Sequence, residues 1–419
     1  MSQQPAPLRI AIVGINYAPE EIGIGRYTTD MAVALAARGH AVEMIAGKPY
    51  YPQWQVPEAW RGGGWRRSVE NGVAVTRCPH YVPASPTGIK RIVHLASFAA
   101  AALAPALALA GRRPGRRPDV VLCLAPALIS VPVAWLAARL AGARLWVHVQ
   151  DFEVEAAFAM GLVKADGLAA RAARAFENRV LGLADRVSTI SPQMCARLVA
   201  KGIAPDRVIE IRNWADGAGA NAGADPTAYR AEWGLGETRV ALYSGNIANK
   251  QGIEVIIAAA RLLSSRPDIT FVICGDGPNR ARLEQAAAGL ANIRFHPLQP
   301  SARVADLLSL AAVHLLPQIP DAADLVLPSK LTNMLASGRP VVATAEPGTG
   351  LHAEVDGCGI CTPPGDAAAL AEAVAALVDD PARAEALGAN GRCRAVERWS
   401  RETIIARLES ALAQLARAA

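Results

Sequence analysis

One pattern constrains this chain more than any other. Short apolar runs rich in β-branched residues end, most of them, in a turn carrying glycine or proline, and apolar residues at helical spacing follow. Leu8 to Gly14 is the first run, and it ends in NYAPEEIGIGRYTTD. Tyr27, Met31, Ala34 and Leu35 then recur at helical spacing before a second run from Ala41 to Ala46. Unbroken apolar runs suit strands buried on both faces, and parallel neighbours need a crossover helix between them. The same unit continues through Val120 to Leu124, Leu145 to Val149, Val187 to Ile190 and Val208 to Arg212. It resumes at Val240 to Tyr243, Thr270 to Cys274, Ile293 to Phe295, Val313 to Leu316 and Val341 to Ala343. Between the two series lies ADGAGANAGADP, with too little apolar content to pack. The pattern predicts an α/β chain of two doubly wound parallel sheets. Their domains span 1–214 and 227–396, joined by a linker at 215–226. A terminal helix in 397–419 carries Ile404, Ile405, Leu408, Leu412 and Leu415 as one apolar stripe.

Ligands of such sheets bind outside the carboxyl ends of the strands, so the turns there are the candidate sites. In the first half, Gly23 and Gly25 let backbone approach a ligand, and the helix start behind them favours an anion. Thr28 follows where G-x-G-x-x-G needs a third glycine, and no acidic residue ends the second strand, which argues against a dinucleotide dehydrogenase. In the second half, Ser244, Gly245 and Lys250 make one anion cradle, and Gly275 and Gly277 form a second turn. Residues 315–344 add a third site: Ser329 stands at a helix N-cap, Leu331, Met334 and Leu335 follow at helical spacing, and Lys330 places a charge at the helix start. A capped helix with a solvated lysine is the alternative. At the end of Leu145 to Val149, His148, Gln150, Asp151 and Glu153 gather polar groups, although His148 could equally be satisfied in the core.

The 419 residues are 52% hydrophobic and carry a net charge of +6, which suits an anionic partner. Aromatic residues are only 5% and do not interleave with a basic stripe, so nucleic acid is not expected. Anionic lipid or a phosphorylated ligand fits better. The start MSQQPAPLRIAIVG lacks the features of a signal peptide, and the expected location is cytoplasmic. Cys358 and Cys361 form a C-x-x-C without further ligands nearby and read as structural. Residues 48–72 read as a long loop whose Tyr50, Tyr51 and Trp54 either stack on a sugar or pack beneath the loop. Leu95 to Gly111, followed by Arg112, Arg113, Arg116 and Arg117, is either a helix on an anionic leaflet or one packed on the sheet.

SGN followed by KQG, then FVICGDGP, then PSKLTNMLASGRPVVAT resembles the nucleotide-binding half of family 4 glycosyltransferases of the GT-B fold. NYAPEEIGIGRYTTDMAVALAARGH and WVHVQDFE resemble their acceptor-binding half. The likeness covers nearly the whole chain and is nearest the bacterial colanic acid and O-antigen branch, which adds fucose-like or N-acetylated sugars. It implies two Rossmann-like domains with a cleft between them and a C-terminal helix packing back across. The implied activity is retaining sugar transfer from a UDP- or GDP-linked donor to a lipid-linked saccharide, at the cytoplasmic face of the inner membrane and without metal or other cofactor. It places Ser244, Gly245, Asn246 and Lys250 at the donor diphosphate, with Asn246 where an arginine is usual. Leu298 and Gln299 fall at the base. The family's paired glutamates would fall at Leu325 and Asn333, so both are absent; Asn333 can still bond a ribose hydroxyl, and Asp324 adjoins the other position. His148, Asp151 and Glu153 would orient the acceptor. A sugar-nucleotide epimerase and an inactive sugar-nucleotide-binding protein are the competing readings.

Overall fold

Eight strands build the first sheet: β1 (Arg9–Val13), β2 (Ala41–Gly47), β3 (Arg66–Glu70), β4 (Val73–Cys78), β5 (Val120–Ala125), β6 (Arg144–Val149), β7 (Arg186–Thr189) and β8 (Val208–Glu210). Their order is β3-β4-β2-β1-β5-β6-β7-β8, parallel except for β3. The structure is a computed structural model that describes residues 6–20, 23–85, 88–152, 154, 167–214, 223–247, 251–319 and 330–418. Ile10 pairs with Val42 on one side and Val120 on the other, so the winding reverses at β1. The carboxyl ends of β1 and β5 therefore flank a switch point, where such sheets leave a crevice. Helices α1 (Ile24–Ala37), α2 (Gly88–Ala110) and α3 (Val131–Ala141) are among those covering this sheet.

Two expectations need correction here. Residues 48–72 are not one loop: a turn of 3-10 helix spans Glu58–Trp60, and β3 and β4 form a hairpin closed by Asn71 and Gly72, with φ of 49° and 82°. Two successive positive φ angles at Asn-Gly make the turn whose twist matches an antiparallel pair. The strand escapes a search for apolar runs because β3 is an edge with almost every side chain exposed. Helix α2 also begins at Gly88, well before Leu95, and continues through the buried Pro105.

The second sheet holds β9 (Arg239–Ser244), β10 (Ile269–Cys274), β11 (Ile293–His296), β12 (Ala311–Leu316), β13 (Val341–Thr344) and β14 (Gly359–Thr362), in the order β11-β10-β9-β12-β13-β14. Leu242 pairs with Val272 and with His314, so the reversal lies between β9 and β12. Alternation sends Val342 into one apolar layer with Ile256, Leu370 and Val374. It sends Val341 and Ala343 into the other, with Leu331, Leu335 and Trp399. Cys361 lies on β14, its thiol pushed up to about 11 by burial.

The chain divides into two units, residues 1–211 together with 405–419, and residues 212–404. In the first, Ile405, Leu408, Leu412 and Leu415 are buried, and the buried Glu409 accepts from Arg38 Nη1 at 2.8 Å and lies 3.0 Å from His40 Nε2. Most of the expected linker, residues 215–222, lies outside the described residues.

Candidate functional site

At the switch point of the second sheet, β9 ends at Ser244 and the chain turns through Gly245, Asn246 and Ile247. Neighbouring turns are tied to it by backbone alone. Gly245 N–H donates to the Cys274 carbonyl (2.9 Å), Ile247 N–H to that of Asp276 (2.8 Å), and Gly275 N–H to that of His296 (3.0 Å). A Cβ on Gly275 would overlap the Gly245 carbonyl, and one on Gly277 the Ile247 carbonyl, so only glycine permits this approach.

Lys330 opens the helix Lys330–Ala336, and its Nζ lies 4.1 Å from the centroid of the Tyr243 ring, beside Gly245. The ring is fixed by its hydroxyl, which donates to the Asn246 carbonyl at 2.7 Å. Among the described residues no carboxylate pairs with Lys330, and burial pushes its ammonium down to about 7. One turn further on, Asn333 Oδ1 is buried without a hydrogen-bond donor. Residues three apart share a helix face, so a cation without a carboxylate among the described residues and an open acceptor stand together at this edge. The pair suits a ligand with negative charge at one end and a hydroxyl nearby.

Beyond β11 the same edge becomes aromatic. Trp233 stacks on His296 with ring centroids 3.8 Å apart and planes 7° from parallel, and Leu298, just after His296 in sequence, is 65% exposed. Gln299 is already engaged: Tyr229 Oη donates to its Oε1 at 3.2 Å, and its Nε2 donates to the Pro297 carbonyl at 2.8 Å.

The carboxyl edge of the first sheet is built from side chains. Glu20 is buried. Its Oε1 accepts from the N–H groups of Tyr50 (2.9 Å) and Tyr51 (3.0 Å), and its Oε2 accepts from Asn16 Nδ2 (2.8 Å). Burial raises its carboxyl, and the three donors oppose that shift. Gly25 is packed against this carboxylate, while Gly23, at φ +64°, starts α1 beside the Tyr51 ring. Tyr50 is buried among Trp54, His80 and His94, with ring centroids 5.2, 5.5 and 4.6 Å away. Tyr51 is the exposed member of the aromatic group. The loop above is held by Lys48 Nζ, which donates to the carbonyls of Gly62 (2.6 Å) and Gly63 (3.1 Å).

Two family models divide the chain between them: a glycosyl transferase 4-like domain over residues 23–214 and glycosyl transferases group 1 over 225–394. The putative colanic acid biosynthesis glycosyl transferase WcaI of Escherichia coli K12 is 43% identical over 374 residues, 87% of this chain and 90% of that protein. The chain belongs to the family 4-like glycosyltransferases. Solved structures agree on the GT-B fold: HepE of Anabaena in complex with UDP aligns with a TM-score of 0.68 at 15% identity, over 97% of this chain and 100% of the other. Sucrose-phosphate synthase of Thermosynechococcus elongatus aligns with a TM-score of 0.72 at 21% identity, over 98% and 100%.

Within this glycosyltransferase the residues expected from sequence fall into three groups. Ser244, Gly245, Asn246, Lys330 and Asn333 meet at the second switch point, with Leu298 further along that edge. Others hold structure: Gly275 and Gly277 serve the close approach of two turns, Leu331 is fully buried in the core, and Gln299 braces its own loop. Lys250, Asp324, Ser329 and Glu153 lie outside the described residues, as does Leu325.

His148 is 2% exposed, with Nδ1 2.8 Å from Ser188 Oγ and Nε2 3.0 Å from Gln150 Nε2. Trp146 Nε1 donates to the same Ser188 Oγ at 2.7 Å, and desolvation lowers the imidazole to about 4. Both ring nitrogens are occupied, so in this geometry the histidine stiffens the end of β6. Asp151 follows it, partly exposed. Of the four arginines, Arg112 grips Glu43 of β2 with both terminal nitrogens and Arg117 Nε donates to the Arg112 carbonyl at 2.8 Å; Arg113 and Arg116 remain exposed. Tyr243, Trp233 and Glu20 escape sequence reading because each acts through a neighbour distant in the chain.

Proposed function

We propose that this glycosyltransferase moves a sugar, with retention, from a nucleoside diphosphate donor to a lipid-linked saccharide during synthesis of a bacterial surface polysaccharide. It would act at the cytoplasmic face of the membrane that holds the acceptor. The observation that carries the donor assignment is the Lys330 ammonium, which lies over the Tyr243 ring beside the Gly245 turn and pairs with no carboxylate among the described residues. Departure of the nucleotide builds negative charge on its terminal phosphate. A preformed cation there stabilises the transition state more than the bound donor. Lys330, helped by Lys250, supplies that charge without a metal ion. Asn333 accepts from a ribose hydroxyl where a glutamate is usual, and the base lies toward Leu298. The likeness to WcaI supports the polysaccharide context, and the UDP complex of HepE supports a nucleotide-linked donor. The acceptor binds at the first unit's edge, near Tyr51 and Asp151. The leaving phosphate oxygen takes the acceptor proton on the same face, so no separate base is required.

The deciding experiment is calorimetry against UDP- and GDP-linked sugars, with and without EDTA, followed by NMR of the anomeric configuration of the product. Binding lost on chelation, an inverted product, or a donor epimerised with no acceptor present would each overturn part of the reading.

A further inference from the structure

Neither sheet edge uses the outward face of α2. Ile89, Ile92, Val93, Ala100, Leu103 and Ala104 recur along it at three- and four-residue steps and are exposed, Ile89 by 79% and Ile92 by 56%. The opposite stripe, which includes Phe98, Ala102 and Leu109, is buried. A helix on the surface of a protein surrounded by water sets polar residues opposite its core stripe, whereas this one is apolar on both sides. The patch continues onto the neighbouring edge. Trp65 Nε1 donates to the Ala101 carbonyl at 2.8 Å, which lays the indole beside the helix, and Val69 of β3 is 77% exposed. From residue 71 to residue 118 the chain holds seven lysines and arginines and no aspartate or glutamate. Lys90 and Arg91 sit at one end of the stripe, and Arg113 and Arg116 lie beyond the other.

The amino-terminal half of α2 is also fastened to the first unit's carboxyl edge. His94 Nδ1 lies 2.6 Å from the Tyr81 carbonyl, Tyr81 N–H donates to Ser97 Oγ at 2.9 Å, and the His94 ring stands against Tyr50. Its length and hydropathy would let α2 cross a bilayer, but the buried stripe binds it to the sheet and leaves only one face for lipid.

We propose that the outward stripe of α2, with Trp65 and Val69, is a docking face for an anionic bilayer. The helix lies along the leaflet and holds the Tyr50, His80 and His94 edge at the level of the lipid phosphates. A second copy of the chain suits the face less well, since a two-fold contact would bring its flanking cations together. The inference deepens the lipid-linked acceptor reading and rests on it only for the purpose of docking. It also reassigns the charges: Lys90, Arg91, Arg113 and Arg116 face the lipid, while Arg112 and Arg117 are held by the protein.

The test is flotation of the full chain with vesicles of phosphatidylglycerol and phosphatidylethanolamine, against vesicles of phosphatidylcholine. Parent protein is expected to float with the anionic vesicles. Combined Ile89→Ser, Ile92→Ser and Val93→Ser, all at exposed positions, should weaken binding at least tenfold with thermal midpoint unchanged. Paired Arg113→Gln and Arg116→Gln should weaken it about thirtyfold at low salt and less at high salt. Brominated lipid should quench tryptophan emission, and Trp65→Phe should remove most of that quenching. A parent indifferent to anionic vesicles, a serine variant that floats like the parent, or a dimer that the serine changes convert to monomer would overturn the proposal. Calorimetry with nucleotide sugars separates the two readings, because donor binding needs no membrane: lost donor binding with intact flotation condemns the transferase site alone.

Discussion

At the carboxyl edge of the second sheet the backbone does the packing and a charged side chain is left over. At that of the first, the buried charge, Glu20, is satisfied by its neighbours. Gly245, Gly275 and Gly277 bring three turns together, and Lys330, beside Gly245, has no carboxylate partner among the described residues. Glu20, equally a charge in a sheet crevice, is held by three donors. A satisfied carboxylate shapes a site. An unsatisfied ammonium costs stability and persists where a ligand completes it. The contrast therefore assigns electrostatic work to the second edge and positioning to the first.

The contrast is broken most directly by Lys330→Met, which keeps the stem and removes the charge. The specificity constant kcat/KM should fall roughly a hundred- to a thousand-fold, about 3 to 4 kcal/mol of transition-state stabilisation. Steady-state product formation within about threefold of the parent would place Lys330 among ordinary surface lysines. Gly275→Ala should act through stability instead. Forcing a methyl into the Gly245 carbonyl should cost about 3 kcal/mol, read as a lower urea midpoint. An unchanged midpoint would mean the turns do not pack as described. At the first edge, Glu20→Ala orphans the N–H groups of Tyr50 and Tyr51 and should cost about 2 kcal/mol, with Glu20→Gln recovering part of it. If Glu20→Gln instead abolished turnover at full stability, the carboxylate would be chemical and the comparison would fail.

The smallest effect concerns pH. Below about 7 the free Lys330 is charged and attracts a diphosphate; as pH rises through 7 it becomes neutral. A bound diphosphate restores the higher value, so donor binding takes up a proton above pH 7 and weakens by up to about tenfold per pH unit there. Calorimetry at pH 8.5 in two buffers of different ionisation enthalpy should give different heats, and Lys330→Met should equalise them. Equal heats in the parent would contradict the linkage.

Most of the parallel strands were legible because buried parallel strands write themselves as continuous apolar runs, but their order, and with it both switch points, was not. The hairpin of β3 and β4 was not, since an exposed edge has no such run; its Asn71-Gly72 turn was the available signal. Lys330 stood out by its place at a helix start, but its seat over the Tyr243 ring is a fact of three dimensions. Glu20 drew no notice because its partners Tyr50 and Tyr51 are thirty residues away. Gly275 and Gly277 illustrate the converse: glycine in a turn marks close approach, and sequence does not say whether ligand or backbone approaches. The same ambiguity affects α2, whose two apolar faces merge into one composition.

The membership of residues 405–419 in the first unit bears on biosynthesis. A ribosome makes residues 1–211 first, yet they lack the Glu409 carboxylate for Arg38 and His40, and the cover of Ile405, Leu408 and Leu412, until residues 212–404 have also been made. Folding of the first-made half is thus expected to finish only after the second unit has been synthesised. Protease treatment of ribosome-bound chains stalled at residue 404 should cut the first unit more readily than in released full-length protein. Equal resistance would show that the closing segment is dispensable.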